Sequence, residues 1–313
     1  MIRLAIVLPC YNEEEVLTLT ARQLNKLFND LKCKKKISAD SFALFVNDGS
    51  HDSTWDVICR LHNEYPFVKG LNLAHNVGHQ SAIYAGMMKA KDMSDAVVTI
   101  DADLQDDVKC IEQMVDNFDK GFDVVYGVKV QRHADSWLKR TSAQLFYKLQ
   151  KRMGVDMVYN HADFRLVSRR VIEALSRYPE RNLYLRGMFP QIGFPSTIVE
   201  DALSERQAGK SKYTLSKMLN LALDGITSFS TKPLLYVVYI GVVFILISIL
   251  IAIYVLVSLL SGTAVQGWAS LILSVWFVGG VILIALGSVG AYVGKIYREV
   301  KRRPIYNEQD FLE

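Results

Sequence analysis

The chain has 313 residues, of which half are hydrophobic and 22% are charged, and its formal net charge at pH 7 is +4. A positive charge this small gives little reason to expect a nucleic acid partner, which usually requires a strongly basic surface. The four cysteines form no Cys-x-x-Cys pair, which suits a reducing compartment rather than an extracellular fold stapled by disulfides.

Short apolar runs alternate with helical patterns in the first half of the chain. The runs are predicted as five strands, at Leu4–Leu8, Phe42–Val46, Val68–Leu73, Ala96–Ile100 and Val124–Tyr126. The helical patterns predict five helices, at Glu13–Leu31, Ser53–Tyr65, Gln80–Met93, Val108–Lys120 and Trp137–Met153. This alternation predicts an α/β fold in which helices cover both faces of a largely parallel sheet.

Polar side chains follow three of these predicted strands. Asn12 and Glu13 come after the first strand, Asp48 after the second, and Asp101 and Asp103 after the fourth. In open α/β sheets, ligands bind in the crevice beyond the carboxyl ends of the strands. Three polar strand ends at one crevice favour a nucleotide-sugar site over three separate turns. Asn12 is in addition a candidate N-cap for the helix that follows it.

The stretch after the fourth predicted strand reads Asp-Ala-Asp-Leu-Gln-Asp-Asp. Asp101, Asp103 and Gln105 offer hard oxygen ligands of the kind that suit Mg²⁺ or Mn²⁺. Such an ion is most useful where a diphosphate must be held and its charge neutralised. The alternative is an acidic turn in which Asp106 and Asp107 favour the N-terminus of the next helix. The stretch by itself does not decide between the two.

No charged residue occurs from Pro233 to Gly294. The stretch contains two apolar spans, at about 234–260 and 268–293, each long enough to cross a bilayer as a helix. Lysines and arginines flank the pair, and the positive-inside rule makes both flanks cytosolic. The N-terminal apolar run is too short for a signal peptide. We therefore expect an integral membrane protein with both termini cytosolic.

The predicted domain organisation follows from these boundaries. Residues 1–212 are expected to form a cytosolic domain, residues 231–294 a transmembrane hairpin and residues 295–313 a cytosolic basic tail. Apolar residues recur at helical spacing within residues 213–230, which predicts an amphipathic helix lying in the membrane interface. The alternative for this helix is that it packs on the soluble domain.

Five motifs occur in a fixed order along the chain: Pro9-Cys10-Tyr11-Asn12-Glu13, Asn47-Asp48-Gly49-Ser50, Asp101-Ala102-Asp103-Leu104-Gln105-Asp106, Ala162-Asp163-Phe164-Arg165-Leu166, and Glu205-Arg206-Gln207-Ala208-Gly209-Lys210-Ser211-Lys212-Tyr213. Together with the two membrane spans, they closely resemble the polyisoprenyl-phosphate glycosyltransferases of glycosyltransferase family 2. That group includes dolichyl-phosphate mannose synthases and bacterial bactoprenol glucosyltransferases. The resemblance covers nearly the whole chain.

The resemblance implies a GT-A fold and an inverting transfer of a hexose from a UDP-sugar to a polyprenyl phosphate such as undecaprenyl phosphate. The reaction would take place at the cytosolic face of a bacterial cytoplasmic membrane and serve cell-envelope glycosylation. Asp103 and Gln105 would hold Mg²⁺ or Mn²⁺ on the diphosphate. The nucleotide-sugar site would comprise Pro9, Tyr11, Asn12, Glu13, Asp48, Asp101 and Ala102.

One motif departs from the family pattern. Members often follow the metal motif with two prolines and an acid, whereas this chain continues Asp107-Val108-Lys109. The start of the following helix is therefore expected to differ from that of the family.

The family's candidate catalytic base is Asp163. A lipid phosphate has a second pKa of about 6, so at neutral pH it is mostly a dianion that hardly needs deprotonation. The residue is therefore either a base or a group that orients the sugar or the acceptor. A third alternative is an N-cap-like acid before a helix predicted at Ser168–Ser176.

Two basic groups are candidates for binding phosphates. One follows the fifth predicted strand and the other precedes the amphipathic helix, where Gly209 gives the backbone freedom to close over a ligand. The alternative for both is attraction to anionic lipid headgroups, worth about 1 kcal/mol per residue. Assigned to the acceptor phosphate are Arg132, Lys139, Arg140 and Arg165, and to the nucleotide sugar Arg206 and Lys212.

Two other functions are alternatives to lipid glycosylation. A processive polysaccharide synthase would carry a Gln-x-x-Arg-Trp motif and more membrane spans, and neither occurs in the sequence. A non-enzymatic membrane subunit with a degenerate nucleotide-binding domain would not need acids at all three strand ends. The sequence leaves the sugar open between glucose, N-acetylglucosamine and another hexose. Glycines on the second span permit close helix contact and hence a homo-oligomer.

Overall fold

The computed structural model describes residues 1–103, 105–129, 161–181, 183–201 and 267–313, together with part of 234–254. Its helices are α1 Leu17–Cys33, α2 Thr54–Glu64, α3 His79–Ala90, α4 Cys110–Asp119, α5 Arg169–Ser176, α6 Leu185–Ile192 and α7 Trp268–Lys301. Its strands are β1 Leu4–Cys10, β2 Phe42–Asn47, β3 Val68–Leu73, β4 Ala96–Thr99, β5 Val124–Lys129, β6 His161–Ser168, β7 Ser196–Asp201 and β8 Glu308–Leu312.

The described strands form one sheet in the order β7-β5-β6-β4-β1-β2-β3-β8. The neighbours β4, β1, β2 and β3 run parallel, as do β5 and β7, while β6 and β8 pair antiparallel with their neighbours. The predicted α/β class with a mostly parallel sheet is therefore confirmed. Because β1, β2 and β4 are parallel neighbours, their carboxyl ends meet at one edge, which is where the predicted polar side chains lie.

Both faces of the sheet are covered by helices. Successive side chains of a strand point to opposite faces, and β1 follows this alternation. Leu4, Ile6 and Leu8 belong to the cluster that contains α1, α2 and α4, whereas Ala5 and Val7 belong to the cluster that contains α3, α5 and α6. A strand that packs on both faces reads as a continuous apolar run, which explains why β1 is apolar throughout.

Asn12 does not cap the first helix, contrary to the prediction. The helix begins at Leu17, and its N-cap residue Val16 makes no side-chain capping bond. Asn12 has a φ of +54°, and its side-chain oxygen accepts a hydrogen bond from the His51 N–H at 2.9 Å. The residue therefore joins the loop after β1 to the loop after β2.

The last strand, β8, follows α7 within residues that were predicted to be a basic tail. It pairs antiparallel with β3, where Leu71 lies opposite Phe311 and Gly70 opposite Leu312. Phe311 packs against one core cluster and Leu312 against the other. Since α7 ends at Lys301, only the short segment 302–307 separates the end of this helix from the sheet.

The helix α7 is long and apolar enough to cross a membrane over Phe277–Lys301, and this part of it is not buried in the protein. Of the first predicted span, the structure describes only individual helical residues between 234 and 254. One of them, Phe244, has its ring 5.3 Å from the ring of Phe277. The predicted helices at Trp137–Met153 and within 213–230 lie outside the described residues.

We expect replacement of Phe311 by alanine to lower the free energy of unfolding by about 2 kcal/mol, less than for a fully buried phenylalanine. The ring packs on the core and lies 3.9 Å from the Lys89 ammonium. Urea unfolding of the detergent-solubilised protein measures the change. Gln309→Ala is the matched control, because Gln309 is exposed on the same strand. Equal stability of Phe311→Ala and Gln309→Ala would contradict a structural role for β8.

Candidate functional site

The loops after β1 and β2 are held together by hydrogen bonds. The Asn12 N–H donates to the Ser50 hydroxyl at 3.0 Å, and the Glu13 N–H donates to the Thr54 hydroxyl at 2.9 Å. Tyr11 is 38% exposed, and its ring meets that of His51 edge-on with centroids 6.4 Å apart. Tyr11, Asn12 and Glu13, which were predicted to bind the nucleotide sugar, therefore lie at the crevice. The hydrogen bonds from the loop after β2 fix their backbone.

Asp48 is buried at the end of β2 and shapes the loop that leads into α3. Its two carboxylate oxygens accept hydrogen bonds from the N–H groups of Val77 at 2.7 Å and Gly78 at 3.1 Å. Burial raises the pKa of Asp48, and these two bonds offset the rise only in part. The next residue, Gly49, has a φ of +60°, and a Cβ there would lie 2.5 Å from the Asn76 nitrogen. Glycine is therefore required at this turn.

His79 is the first residue of α3, so the loop fixed by Asp48 also sets its position. Its Nε2 lies 3.5 Å from an oxygen of Asp101 and 3.3 Å from an oxygen of Asp163. Burial by itself lowers the pKa of His79, but the hydrogen bond to Asp163 and the charges of both acids outweigh it and raise the pKa. The imidazole thus bridges a residue just beyond the carboxyl end of β4 and a residue near the amino end of the antiparallel neighbour β6.

Asp163 lies at the centre of a charged cluster. Its oxygens are 2.6 Å from the Arg165 guanidinium and 2.9 Å from the Arg186 guanidinium. Burial alone would raise the pKa of Asp163, but the charges and hydrogen bonds of Arg186, His79 and Arg165 hold it well below its usual range. Asp163 is therefore ionised in the folded protein. It belongs to β6, and the N-cap of α5 is Ser168, so the N-cap alternative for Asp163 is wrong.

Arg165 was predicted to bind the acceptor phosphate, and the structure corrects this assignment. Its side chain is 1% exposed, its guanidinium pairs with Asp163, and the Phe189 ring centroid is 4.9 Å away. Residues i and i+2 of a strand share one face, which brings Arg165 beside Asp163 inside the sheet. The guanidinium is therefore buried against Asp163 and is not exposed at the surface of the crevice.

Asp103 and Gln105 lie beyond the end of β4, and both are partly exposed. One oxygen of Asp103 accepts the Gln105 N–H at 3.3 Å. Among the described residues, no group of three or more histidine, cysteine and acidic side chains could hold a metal ion alone. Mg²⁺ commonly takes one or two carboxylates together with substrate phosphates and water. An exposed carboxylate next to an amide fits that mode of binding.

Asp106 and Asp107, the two acids after Gln105, do not both lie at the N-terminus of α4. α4 starts at Cys110 without a side-chain capping bond, and Asp107 accepts the Lys109 N–H at 3.0 Å in the turn before the helix. Asp106 is buried, and one of its oxygens lies 3.0 Å from the Lys129 ammonium. Burial raises the pKa of Asp106 to about 7, against the opposing charge of Lys129. The residue therefore ties the metal motif to β5.

Two residues of the site were not predicted from the sequence. His79 follows the third predicted strand, but it was not singled out among the histidines. Arg186 comes from α6, in a stretch without a recognisable motif, and reaches Asp163 only through the tertiary fold. Five predicted phosphate-binding residues lie outside the described residues: Arg132, Lys139, Arg140, Arg206 and Lys212.

Most of this chain is similar in sequence to known glycosyltransferases. Residues 5–176 match the family model described as Glycosyl transferase family 2. The uncharacterized glycosyltransferase YkoT of Bacillus subtilis is 48% identical over 313 residues, covering 98% of this chain and 93% of that protein. The bactoprenol glucosyl transferase of Shigella phage SfII is 39% identical over 306 residues, covering 97% of this chain and 96% of that protein. Among solved structures, glucosyl-3-phosphoglycerate synthase of Mycobacterium tuberculosis, in complex with Mn²⁺, uridine diphosphate and phosphoglyceric acid, is similar with a TM-score of 0.45 and 14% sequence identity. The similarity covers 72% of this chain and 76% of that chain.

Proposed function

Because the chain belongs to glycosyltransferase family 2, we propose that it transfers glucose or N-acetylglucosamine from a UDP-sugar to polyprenyl phosphate. Undecaprenyl phosphate is the expected bacterial acceptor. Relatives named bactoprenol glucosyl transferase, 39% identical over 97% of this chain, support this substrate class. The observation that carries the proposal is the Asp163 cluster, in which two arginines and a histidine surround an ionised carboxylate at the crevice.

The acceptor acts as its own nucleophile in this mechanism. A phosphate oxygen attacks the anomeric carbon from the face opposite the UDP, a new C–O bond forms, and the bond to UDP breaks with its electron pair leaving on the diphosphate. Asp163 is already ionised and paired, so its role is to orient the sugar or acceptor together with Arg186 and His79. Mg²⁺ or Mn²⁺ held by Asp103 and Gln105 would neutralise charge on the departing diphosphate.

The nucleoside is proposed to lie over the ends of β1 and β2. The exposed Tyr11 ring offers a surface for the uracil, and the carboxyl oxygens of Glu13 can accept hydrogen bonds from ring or ribose donors. Asp48 already accepts two backbone N–H groups, and the remaining lone pairs of its carboxylate are available to the nucleoside. Pro9, Asn12, Asp101 and Ala102 complete this proposed site, with Arg206 and Lys212 on the diphosphate.

The proposal includes a GT-A domain over residues 1–212, a juxtamembrane helix over 213–230 and a transmembrane hairpin over 231–294. Pairing of β8 with β3 supports the hairpin, because the catalytic domain then lies at both ends of the membrane segment. A chain that leaves and returns on one side crosses the bilayer an even number of times. With α7 as one crossing, residues 234–260 supply the other, and the contact between Phe244 and Phe277 agrees.

Both termini are therefore proposed to be cytosolic, with the enzyme integral to the bacterial cytoplasmic membrane. The basic residues after the second span support this orientation, because the positive-inside rule favours cytosolic positions for lysine and arginine. Beyond each of five glycines of α7, space is open where a Cβ would point, which permits close contact with a second copy: Gly279, Gly280, Gly287, Gly290 and Gly294.

Transfer of radiolabel tests the proposed function. The purified full-length protein is incubated with polyprenyl phosphate, Mn²⁺ and, in turn, labelled UDP-glucose and labelled UDP-N-acetylglucosamine. We expect label from one donor to enter the organic-solvent extract and to depend on added lipid. Label in a water-insoluble polymer would indicate a polysaccharide synthase, and no transfer from any UDP-hexose would contradict the proposal.

We expect His79→Ala to lower kcat about 10- to 100-fold, because it removes a charge-assisted contact to two carboxylates of the site. The labelled-lipid assay at saturating substrates measures this change. His75→Ala is the matched control, since His75 is exposed on the preceding loop. Equal kcat values for the two variants would show that His79 has no part in the reaction.

A further inference from the structure

A cationic cavity of about 370 Å³ lies where α7 meets the catalytic domain. Four basic side chains line it, together with a hydroxyl and a phenol: Arg181, Arg298, Lys301, Arg303, Ser81 and Tyr297. The Lys301 ammonium lies over the Tyr297 ring, 4.2 Å from its centroid. The acid Glu299 is beside the cavity, where its carboxylate accepts the Arg181 backbone N–H at 2.7 Å. The lining is therefore strongly positive.

The Arg181 side chain indicates that an acceptor group belongs in this cavity. Its Nε is buried and has no hydrogen-bond partner among the described residues. A buried donor left unsatisfied costs free energy, so native structures normally provide it with a partner. An anion with several oxygens would satisfy Arg181 and at the same time neutralise the surrounding charges.

Two chain segments connect this cavity directly to the Asp163 cluster. At the start of α3, His79 contacts Asp163, and Ser81, two residues later, lines the cavity. In the second segment Arg181 lines the cavity and Arg186 contacts Asp163. Between these points the Leu185 N–H donates to the Gln80 side-chain oxygen at 3.2 Å, which joins the two segments. The cavity and the cluster are thus linked through the same two segments, within a few residues along each.

We propose that the cavity binds the phosphate of the acceptor lipid as it passes from the membrane to the Asp163 cluster; this inference rests on the proposed function. The cavity is at the end of the membrane helix and shares two chain segments with the Asp163 cluster, which suits a site on the path between them. Three arginines provide the planar donor forks that match phosphate oxygens. None of these residues belongs to the basic groups that the sequence motifs assign to phosphates.

Charge-neutralising substitutions test the site in the full-length enzyme. We expect Arg298→Gln and Arg303→Gln each to raise the KM for polyprenyl phosphate about tenfold, as for loss of one charge-assisted hydrogen bond. The KM for the UDP-sugar and kcat should not change. Arg302→Gln is the matched control, because Arg302 lies between the two along the chain without lining the cavity. An unchanged acceptor KM in both variants would overturn the inference.

The lipid environment distinguishes the acceptor from other anions. The kinetics are measured in nanodiscs of phosphatidylcholine alone and of phosphatidylcholine with phosphatidylglycerol. A tenfold increase in the KM for polyprenyl phosphate in both kinds of nanodisc supports acceptor binding. An effect that appears only with phosphatidylglycerol would overturn the inference in favour of a headgroup site, as would equal binding of inorganic phosphate and polyprenyl phosphate.

A direct binding measurement separates this inference from the proposed function. Labelled polyprenyl phosphate is bound to wild type and to Arg298→Gln in phosphatidylcholine nanodiscs without a sugar donor. If wild type binds the lipid about tenfold more tightly than the variant, the site is supported even if no UDP-hexose is transferred. Equal affinities would overturn the site even if transfer is observed.

Discussion

Replacement of Asp103 by alanine is expected to lower the rate of sugar transfer by at least about a thousandfold. A Lewis acid at a departing diphosphate supplies several kcal/mol of transition-state stabilisation, and each 1.4 kcal/mol is a factor of ten. Asp103 is partly exposed at the end of β4 and is not part of either core cluster, so its removal should leave the fold intact. Transfer of label to lipid, measured over a range of Mn²⁺ concentrations, tests this.

Two further variants support the interpretation of Asp103→Ala. Gln105→Ala should weaken the metal dependence less severely, because a neutral amide is a weaker ligand than a carboxylate. Asp119→Ala removes an exposed carboxylate at the other end of α4 and should leave activity unchanged. Near-normal activity of Asp103→Ala with added Mg²⁺ or Mn²⁺ would rule out the metal assignment.

For Asp163→Asn we expect a rate about a hundredfold lower than wild type but a rise with pH through about 6 that is retained. The second ionisation of a lipid phosphate has a pKa of about 6, so the nucleophilic dianion increases through this range. Asp163 has a depressed pKa and is already ionised at lower pH, so its own titration does not produce the rise. The measurement is a pH–rate profile at saturating donor and acceptor.

In the same pH–rate profile, the decrease in rate at high pH reports the loss of the proton from His79. Its raised pKa means that the cation is present below that pKa and is lost as the pH rises through it. Asp163→Asn removes one of the two negative charges that raise this pKa and makes the hydrogen bond to His79 a weaker, uncharged one. The fall in rate at high pH should therefore move to lower pH in the variant. Disappearance of the low-pH rise in Asp163→Asn would instead identify Asp163 as an obligatory base.

Stability must be controlled in this experiment, because Asp163 neutralises buried charge. Removing one partner of a buried ion pair costs about 3–5 kcal/mol, and Arg165 is 1% exposed. Asp123→Asn is the matched control, since Asp123 is a buried carboxylate paired with Arg170. Both variants should lose stability, and only Asp163→Asn should change the pH profile.

The core of the fold was predictable because local patterns encode it. β1, β2 and β4 are apolar runs followed by polar residues, so a buried parallel sheet was evident without any long-range information. β6 and β7 were missed because each contains several charged or polar residues and neither forms a continuous apolar run. β8 was missed since Glu308–Leu312 contains only two apolar residues, so its pairing with β3 is visible only in the tertiary structure.

Residues of the site could be predicted from the sequence where they directly follow the end of a predicted strand. Asp48, Asp101 and Asp103 fall at the crevice as expected, since parallel strands bring their carboxyl ends together. Arg165 was misassigned because a basic residue in a motif suggests an anion, while its burial depends on Phe189 and Asp163 from the tertiary fold. For Arg186 the same limit applies, because nothing near it in sequence indicates contact with Asp163.

The most direct test of the account compares two acceptors that differ only in their phosphate. Full-length protein in phosphatidylcholine nanodiscs is given a UDP-hexose, Mn²⁺ and either polyprenyl phosphate or the corresponding polyprenol, and the lipid products are analysed by mass spectrometry. The account predicts one hexose on the polyprenyl phosphate and no product from the polyprenol. Hexosylation of the polyprenol, or no lipid product with either acceptor, would contradict it.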